Sequence, residues 1–370
     1  MHFNDLRRQY FLNKKKINKS ILKVLNHGQF ILGPEVRKLE DKLKKYVGVR
    51  YCLSVSSGTD ALLMSLMALN IGKGDEVITP SFGYVSTVEV ICFLGAKPIL
   101  VDINKKTGLI DENLIQNRIT KKTRAIIPVS LFGQIPNFSK INKISQSNGN
   151  ISVIEDAAQS FGSLYNNKKS CSLSSIAITS FFPSKNLGSY GDGGAIFTKN
   201  KKLFDKLKQI RVHGQKNQYN HLRLGILGRM DTLQCSIVLE KFNLFNSELK
   251  KRKKIFSKYN NYFNNINKKG IEILKGNKFV DSNCHQFCLI VDNREKLIDF
   301  LNIKQIPFKI YYPKPLNKHK PYLKYHQKGD NQNSMYLSKR IISIPMNAYL
   351  SVKEQNYIIK SFDLFINKYL

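Results

Sequence analysis

Apolar positions in the first two thirds of the chain switch between two periods. In PEVRKLEDKLKKYVG, Val36, Leu39, Leu43 and Val47 recur at three- and four-residue spacing, which predicts a helix with one buried face that Gly48 stops. YCLSV reads as a short strand, and a helix starting near Thr59 carries Leu62, Leu63, Leu66 and Met67. Continuous apolar runs follow in EVITP, PILVD, RAIIPVS, ISVIEDA, IAITSFF and GAIFTK, with helical segments between most of them. This alternation over residues 34–212 predicts an α/β fold, with a mainly parallel central sheet flanked by helices. Functional groups in such sheets sit on loops beyond the strand ends.

After about residue 246 the pattern changes. SELKKRKKIFSKYNNYF is a basic helical stretch, shorter strands are expected near 271–274 and 286–291, and an amphipathic helix covers 352–369. Two units follow: a large α/β domain over 13–246 and a smaller α+β domain over 247–370, with residues 1–12 packing nearby. No internal repeat is evident.

Composition narrows the class. A chain of 370 residues with 42% hydrophobic content can bury a sizeable core. MHFNDLRRQY has no apolar region of the kind a secretory signal carries, and the richest apolar stretch, 85–94, is interrupted by Glu89. A soluble, cytoplasmic protein with no membrane partner is expected. The six cysteines are scattered, which suits reduced thiols. Cys284, His285 and Cys288 resemble a metal cluster, but CHQFCLIV also reads as a strand with Cys284, Gln286 and Cys288 on one face. With no second ligand pair nearby, no metal is expected. The formal charge of +34 and pI near 9.9 raise nucleic-acid binding as a rival. The lysines are spread throughout, commonly beside asparagine, and no nucleic-acid motif accompanies them. A solvated basic surface is the simpler reading, one that still attracts anionic substrates.

Four segments carry candidate chemistry. In ITSFFPSKNLGSYGDGGAIFT, a strand ends at Ser180-Phe181-Phe182 and Lys185 follows on a glycine-rich loop. Desolvation there would lower its pKa and expose a nucleophilic amine, although a solvated surface lysine is the alternative. In SVIEDAAQS, Asp156 falls at a strand end, where a carboxylate can pair with a protonated pyridine nitrogen or merely cap a helix. In SVSSGTDALLMSL, Ser57, Gly58 and Thr59 open a helix, giving either a phosphate seat or an ordinary N-cap. In TPSFGYVST, Tyr84 can lie against a flat ring or serve as a core aromatic.

Their joint order is that of fold-type-I pyridoxal-phosphate (PLP) enzymes. The chain resembles the nucleotide-sugar aminotransferases of the DegT/DnrJ/EryC/StrS family along nearly its whole length. The shared blocks are FNDLRRQY, GQFILGPEV, SSGTDAL, GDEVITPSF, EDAAQS, SFFPSKNLGSYGDGG, RVHGQ, GRMDTLQ and SIPMNAYLS. The resemblance implies that Lys185 is the Schiff-base lysine and proton shuttle, Asp156 the partner of the pyridine nitrogen, and Gln159 a neighbour of the phenolic oxygen. It makes Gly58, Thr59 and Ser180 the phosphate contacts and Tyr84 the stacked aromatic. Sugar dehydratases of the family replace the lysine, so Lys185 favours transamination.

The similarity is greatest to enzymes that aminate C3 of a UDP-linked 3-keto-glucuronate derivative. It implies L-glutamate as amino donor, a homodimer with active sites near the interface, and a product for surface polysaccharide synthesis, lipopolysaccharide O-antigen among them. Tyr10, His213, Arg229, Tyr311 and Tyr312 lie in segments that line substrate in that group, and Arg229 can hold a carboxylate. Two departures stand out. Leu227 replaces an asparagine that reaches the partner subunit's cofactor phosphate, and Tyr311 stands where some relatives have histidine. A neutral 3- or 4-keto-deoxysugar nucleotide as substrate, or a PLP-binding regulator, are the alternative functions.

Overall fold

Seven strands build the central sheet: β1 (Tyr51–Val55), β2 (Glu76–Pro80), β3 (Lys97–Val101), β4 (Thr123–Ile126), β5 (Ser152–Asp156), β6 (Ile176–Ser180) and β7 (Gly194–Thr198). The computed structural model describes residues 1–266, 270–325 and 331–369. The strand order is β1-β7-β6-β5-β4-β2-β3. Pairs from β6 through β5, β4 and β2 to β3 are parallel, while β7 runs antiparallel to both β6 and β1. The exception has a simple cause: the 181–193 loop, with no crossover helix, leads from β6 to β7, and a direct return reverses direction.

Burial divides the sheet by alternate residues. Leu53, Val55, Ile176, Ile178 and Ile196 pack on one face with the helices α3 (Gly58–Ala68) and α6 (Lys201–Ile210). Cys52, Ala177, Ala195 and Phe197 face the other side, toward α2 (Pro34–Val47). A sheet covered on both faces explains why its strands read as apolar runs. In α2, Val36, Leu39, Leu43 and Val47 are all buried, and Gly48 ends the helix at φ 83° with its amide on the Lys44 carbonyl. That left-handed conformation is one glycine adopts without a Cβ penalty.

A second, antiparallel sheet orders β8 (Ile271–Ile273), β9 (Phe287–Val291) and β10 (Ile341–Ile344). Tyr259, Phe263, Phe287, Phe362 and Phe365 form the heart of its core. The two cores share one rod, α7 (Thr232–Asn264). Its first half buries Cys235, Val238 and Phe245 with α2, and its second half buries Ile255, Tyr259 and Phe263 under the second sheet. Position 246, where the sequence changes character, therefore lies inside an unbroken helix. The amino-terminal segment is tied to the far end of the chain: Arg8 Nη1 donates to the Tyr349 carbonyl at 3.0 Å, and Asn347 Nδ2 to that of Phe3 at 3.2 Å. Among the described residues no helix is long and apolar enough to cross a membrane.

Candidate active site

A cavity of 560 Å³ opens at the carboxyl ends of the parallel strands. Its wall includes Gly58, Thr59, Tyr84, Asp156, Gln159, Ser180, Lys185, Tyr311 and Tyr312.

Lys185 sits on a loop that the chain holds from within. Phe181 and Leu187 are buried anchors on either side of it. The Phe181 amide donates to the Gly193 carbonyl at 2.7 Å, the Ser189 amide returns to the Phe181 carbonyl at 2.7 Å, and the Lys185 amide closes a turn on Phe182 at 2.8 Å. Gly188 makes the tight path feasible, because a Cβ there would lie 2.6 Å from the Pro183 carbonyl oxygen. The lysine amine is consequently presented at one place. Burial pulls its pKa down to about 8, against an opposing pull from the Asp156 carboxylate.

Asp156 ends β5 and is buried. Its Oδ1 accepts the Ala158 amide at 3.1 Å, and its Oδ2 accepts Thr87 Oγ1 at 3.4 Å from α4 (Ser86–Phe93). Burial raises its pKa, while those two bonds and Lys185 hold it down. Its neighbour Glu155 points to the opposite face, where the Cys171 and Leu173 amides and Ser170 Oγ bind it at 2.7, 3.0 and 3.1 Å. Burial lifts that carboxyl to about 7. Two adjacent acids thus have separate duties, one toward the cavity and one bracing a loop.

The first turn of α3 forms another wall. Ser57 caps the helix by accepting the Asp60 amide at 2.9 Å, which leaves Gly58 and Thr59 at its amino end. First-turn amides have no acceptor within their own helix and favour anions. A Cβ on Gly58 would sit 2.8 Å from that of Ser180, so glycine lets this turn close onto the end of β6. Tyr84 is 59% exposed, with its ring 6.4 Å from that of Tyr312. It is therefore open to a ligand and not a core residue. Gln159 is held at both ends of its amide, accepting the Phe132 amide at 2.9 Å and donating to Tyr312 Oη at 3.0 Å.

This donor set fits PLP. First-turn amides and Ser180 can bind the phosphate, Asp156 can face the ring nitrogen, and Lys185 offers the amine. Any side chain at position 58 would meet the Ser180 Cβ at 2.8 Å and push the amino end of α3 away from Ser180.

Three expected substrate residues lie elsewhere in the chain. Tyr10 is on α1 (Leu6–His27), its hydroxyl donating to Asn18 Oδ1 at 3.1 Å and its ring edge-on to Tyr190. His213 is exposed at φ 60° on a loop. Arg229 is half-buried, and its Nε lacks a hydrogen-bond partner. None of the three lines this cavity. Conversely Thr87, Asn186, His285 and Gln286 were not singled out as binding residues. Thr87, His285 and Gln286 are part of the wall, and Asn186 reaches it through a hydrogen bond to His285. The sequence signal for the last two was the polar His-Gln pair inside an apolar strand segment.

Residues 12–363 match the DegT/DnrJ/EryC1/StrS aminotransferase family. The chain is 45% identical to UDP-2-acetamido-2-deoxy-3-oxo-D-glucuronate aminotransferase of Pseudomonas aeruginosa, covering 95% of this chain and 96% of that protein. A family aminotransferase from Brucella abortus superposes with a TM-score of 0.94 at 36% identity, over 99% of both chains. NtdA of Bacillus subtilis, solved with bound PMP, superposes with a TM-score of 0.89 at 29% identity, over 95% of this chain and 82% of that one. The chain belongs to the DegT/DnrJ/EryC1/StrS aminotransferase family and is an aminotransferase that works with PLP.

Proposed function

We propose that this enzyme moves an amino group from L-glutamate to the 3-keto group of a UDP-linked N-acetylglucuronate derivative, for surface polysaccharide synthesis. The observation that carries the reading is the meeting of the Lys185 amine and the buried Asp156 carboxylate in one cavity at the strand ends. The 45% identity to an enzyme named for that sugar supports the substrate.

PLP supplies the electron sink that lets nitrogen pass between two carbon skeletons. The chain supplies the rest. The amino end of α3 and Ser180 Oγ would hold the phosphate, Asp156 would keep a proton on the ring nitrogen by its charge, and Tyr84 would lie against the ring. Lys185 Nζ takes the proton from the carbon that bears the transferring nitrogen and returns it on the other side of the reaction, which suits an amine poised near 8. Arg229 is the candidate partner for the uronate carboxylate.

A homodimer with shared active sites belongs to this reading. Tyr219, Leu222, Leu224 and Leu227 are 84, 52, 87 and 58% exposed on one stretch of chain, an apolar surface suited to a second copy. The same stretch neighbours His213 and Arg229, which would then serve the partner's cavity. A cytoplasmic setting is supported by six cysteines that are all unpaired. Large and small domains meeting within α7 complete the proposal.

The test is an absorbance spectrum of the purified protein with PLP, before and after L-glutamate. A visible band that glutamate bleaches, and that a 3-keto UDP-sugar restores, is expected; a band indifferent to glutamate would sink the proposal. Leu227→Asn gives a second prediction. An amide at this exposed position can donate where leucine cannot, so PLP should bind tighter by about 1 kcal/mol, close to a five-fold lower Kd. Equilibrium titration of PLP checks it, and an unchanged Kd refutes it.

A further inference from the structure

The wall of the cavity holds a buried polar side chain that the chemistry above leaves idle. Gln286 is 7% exposed and lines the cavity, and its Oε1 has no hydrogen-bond partner. A buried amide oxygen left unpaired costs more than an ordinary hydrogen bond returns. Its placement beside open space makes sense when a ligand brings a donor to it.

His285, next to it, is set up in a complementary way. Its Nδ1 lies 3.0 Å from Asn186 Oδ1, and Asn186 Nδ2 donates to the Asn283 carbonyl at 2.9 Å. The second bond orients the Asn186 amide so that its oxygen faces the imidazole. Nδ1 therefore carries the proton, and Nε2 is left as an acceptor. Burial, together with the nearby cations of Lys185 and Arg252, holds the ring well below its ordinary pKa. The wall thus presents an amide and a neutral acceptor, with no formal charge of its own.

That chemistry selects among substituents on a sugar. A carboxylate brings acceptors only and would leave Gln286 Oε1 unpaired. A hydroxyl can donate one proton. An acetamido group brings an N–H whose direction the planar trans amide fixes, a donor suited to Oε1. We propose that Gln286, flanked by neutral His285, is a specificity-determining contact for the acetamido group of the nucleotide sugar. The inference rests on the keto-sugar-nucleotide reading of this site.

The experiment uses PLP-loaded full-length protein and two probes, UDP-N-acetyl-D-glucosamine and UDP-D-glucose, which differ at the substituent in question. Titration calorimetry on the wild type should give tighter binding for the acetamido probe. Gln286→Leu should weaken that probe roughly five- to ten-fold and UDP-D-glucose less than about two-fold, with PLP absorbance unchanged. Equal losses on both probes, no loss on either, or loss of PLP itself would overturn the proposal. Gln286→Met serves if Gln286→Leu fails to fold: it keeps the length of the side chain but removes the amide acceptor, and the same preferential loss on the acetamido probe is required. Failure of both probes to bind the wild type would remove the substrate reading and this inference together. Normal binding without discrimination by the variants removes the inference alone.

Discussion

Lys185→Ala should leave a folded protein whose transamination is slower by on the order of 10⁴-fold or more. The loop around residue 185 is held by Phe181, Leu187 and backbone bonds through Ser189, none of which uses the lysine side chain. Loss of activity is therefore separable from loss of structure, and circular dichroism should match the wild type. Borohydride reduction of the PLP-loaded wild type should attach a pyridoxyl group to the peptide containing Lys185, and the variant should carry none. The pH dependence has a definite sign. The amine is an ammonium below about 8 and a free base above it. PLP attachment to cofactor-free protein should accordingly speed up as pH rises through 8 and then level off. A variant that still transaminates at the wild-type rate, or a label elsewhere, refutes the assignment.

Asp156→Asn is the second large effect, with an expected fall in turnover of about 10²–10³-fold. The replacement keeps an oxygen for the Ala158 amide but removes the negative charge. Two things change together. The ring nitrogen loses its counter-charge, and Lys185 loses the carboxylate that pulls its pKa upward against burial. The midpoint for PLP attachment should hence move below that of the wild type. A merely structural role for Asp156 would lower stability without moving that midpoint. Stopped-flow measurement across pH distinguishes the two.

Much of the fold was legible because its strands are buried on both faces. EVITP and GAIFT are buried at every position and so are mostly apolar, and that signal survives without any knowledge of neighbours. The placing of Asp156, Gly58 and Lys185 near strand ends was legible for a related reason: Asp156 closes β5, and Gly58 and Lys185 come three and five residues after β1 and β6. The reversed direction of β7 was not written in any apolar pattern; it follows from the absence of a helix between Ser180 and Gly194. Gln286 was harder to read. In sequence it shares a strand face with Cys288, and only the folded cavity distinguishes a polar group facing a ligand from one satisfied by protein. Tyr10, His213 and Arg229 were expected around the substrate yet lie off the cavity wall. No local pattern tells how far a residue folds from a cavity.

The unbroken course of α7 bears on how this enzyme admits its two substrates in turn. Bending α7 near residue 246 would break several consecutive helical hydrogen bonds, so a hinge within this helix is an expensive motion. The amino donor and the nucleotide sugar would then meet walls of fixed spacing. Discrimination would fall to side chains that swing and loops that shift at the rim, leaving the two halves of the molecule still.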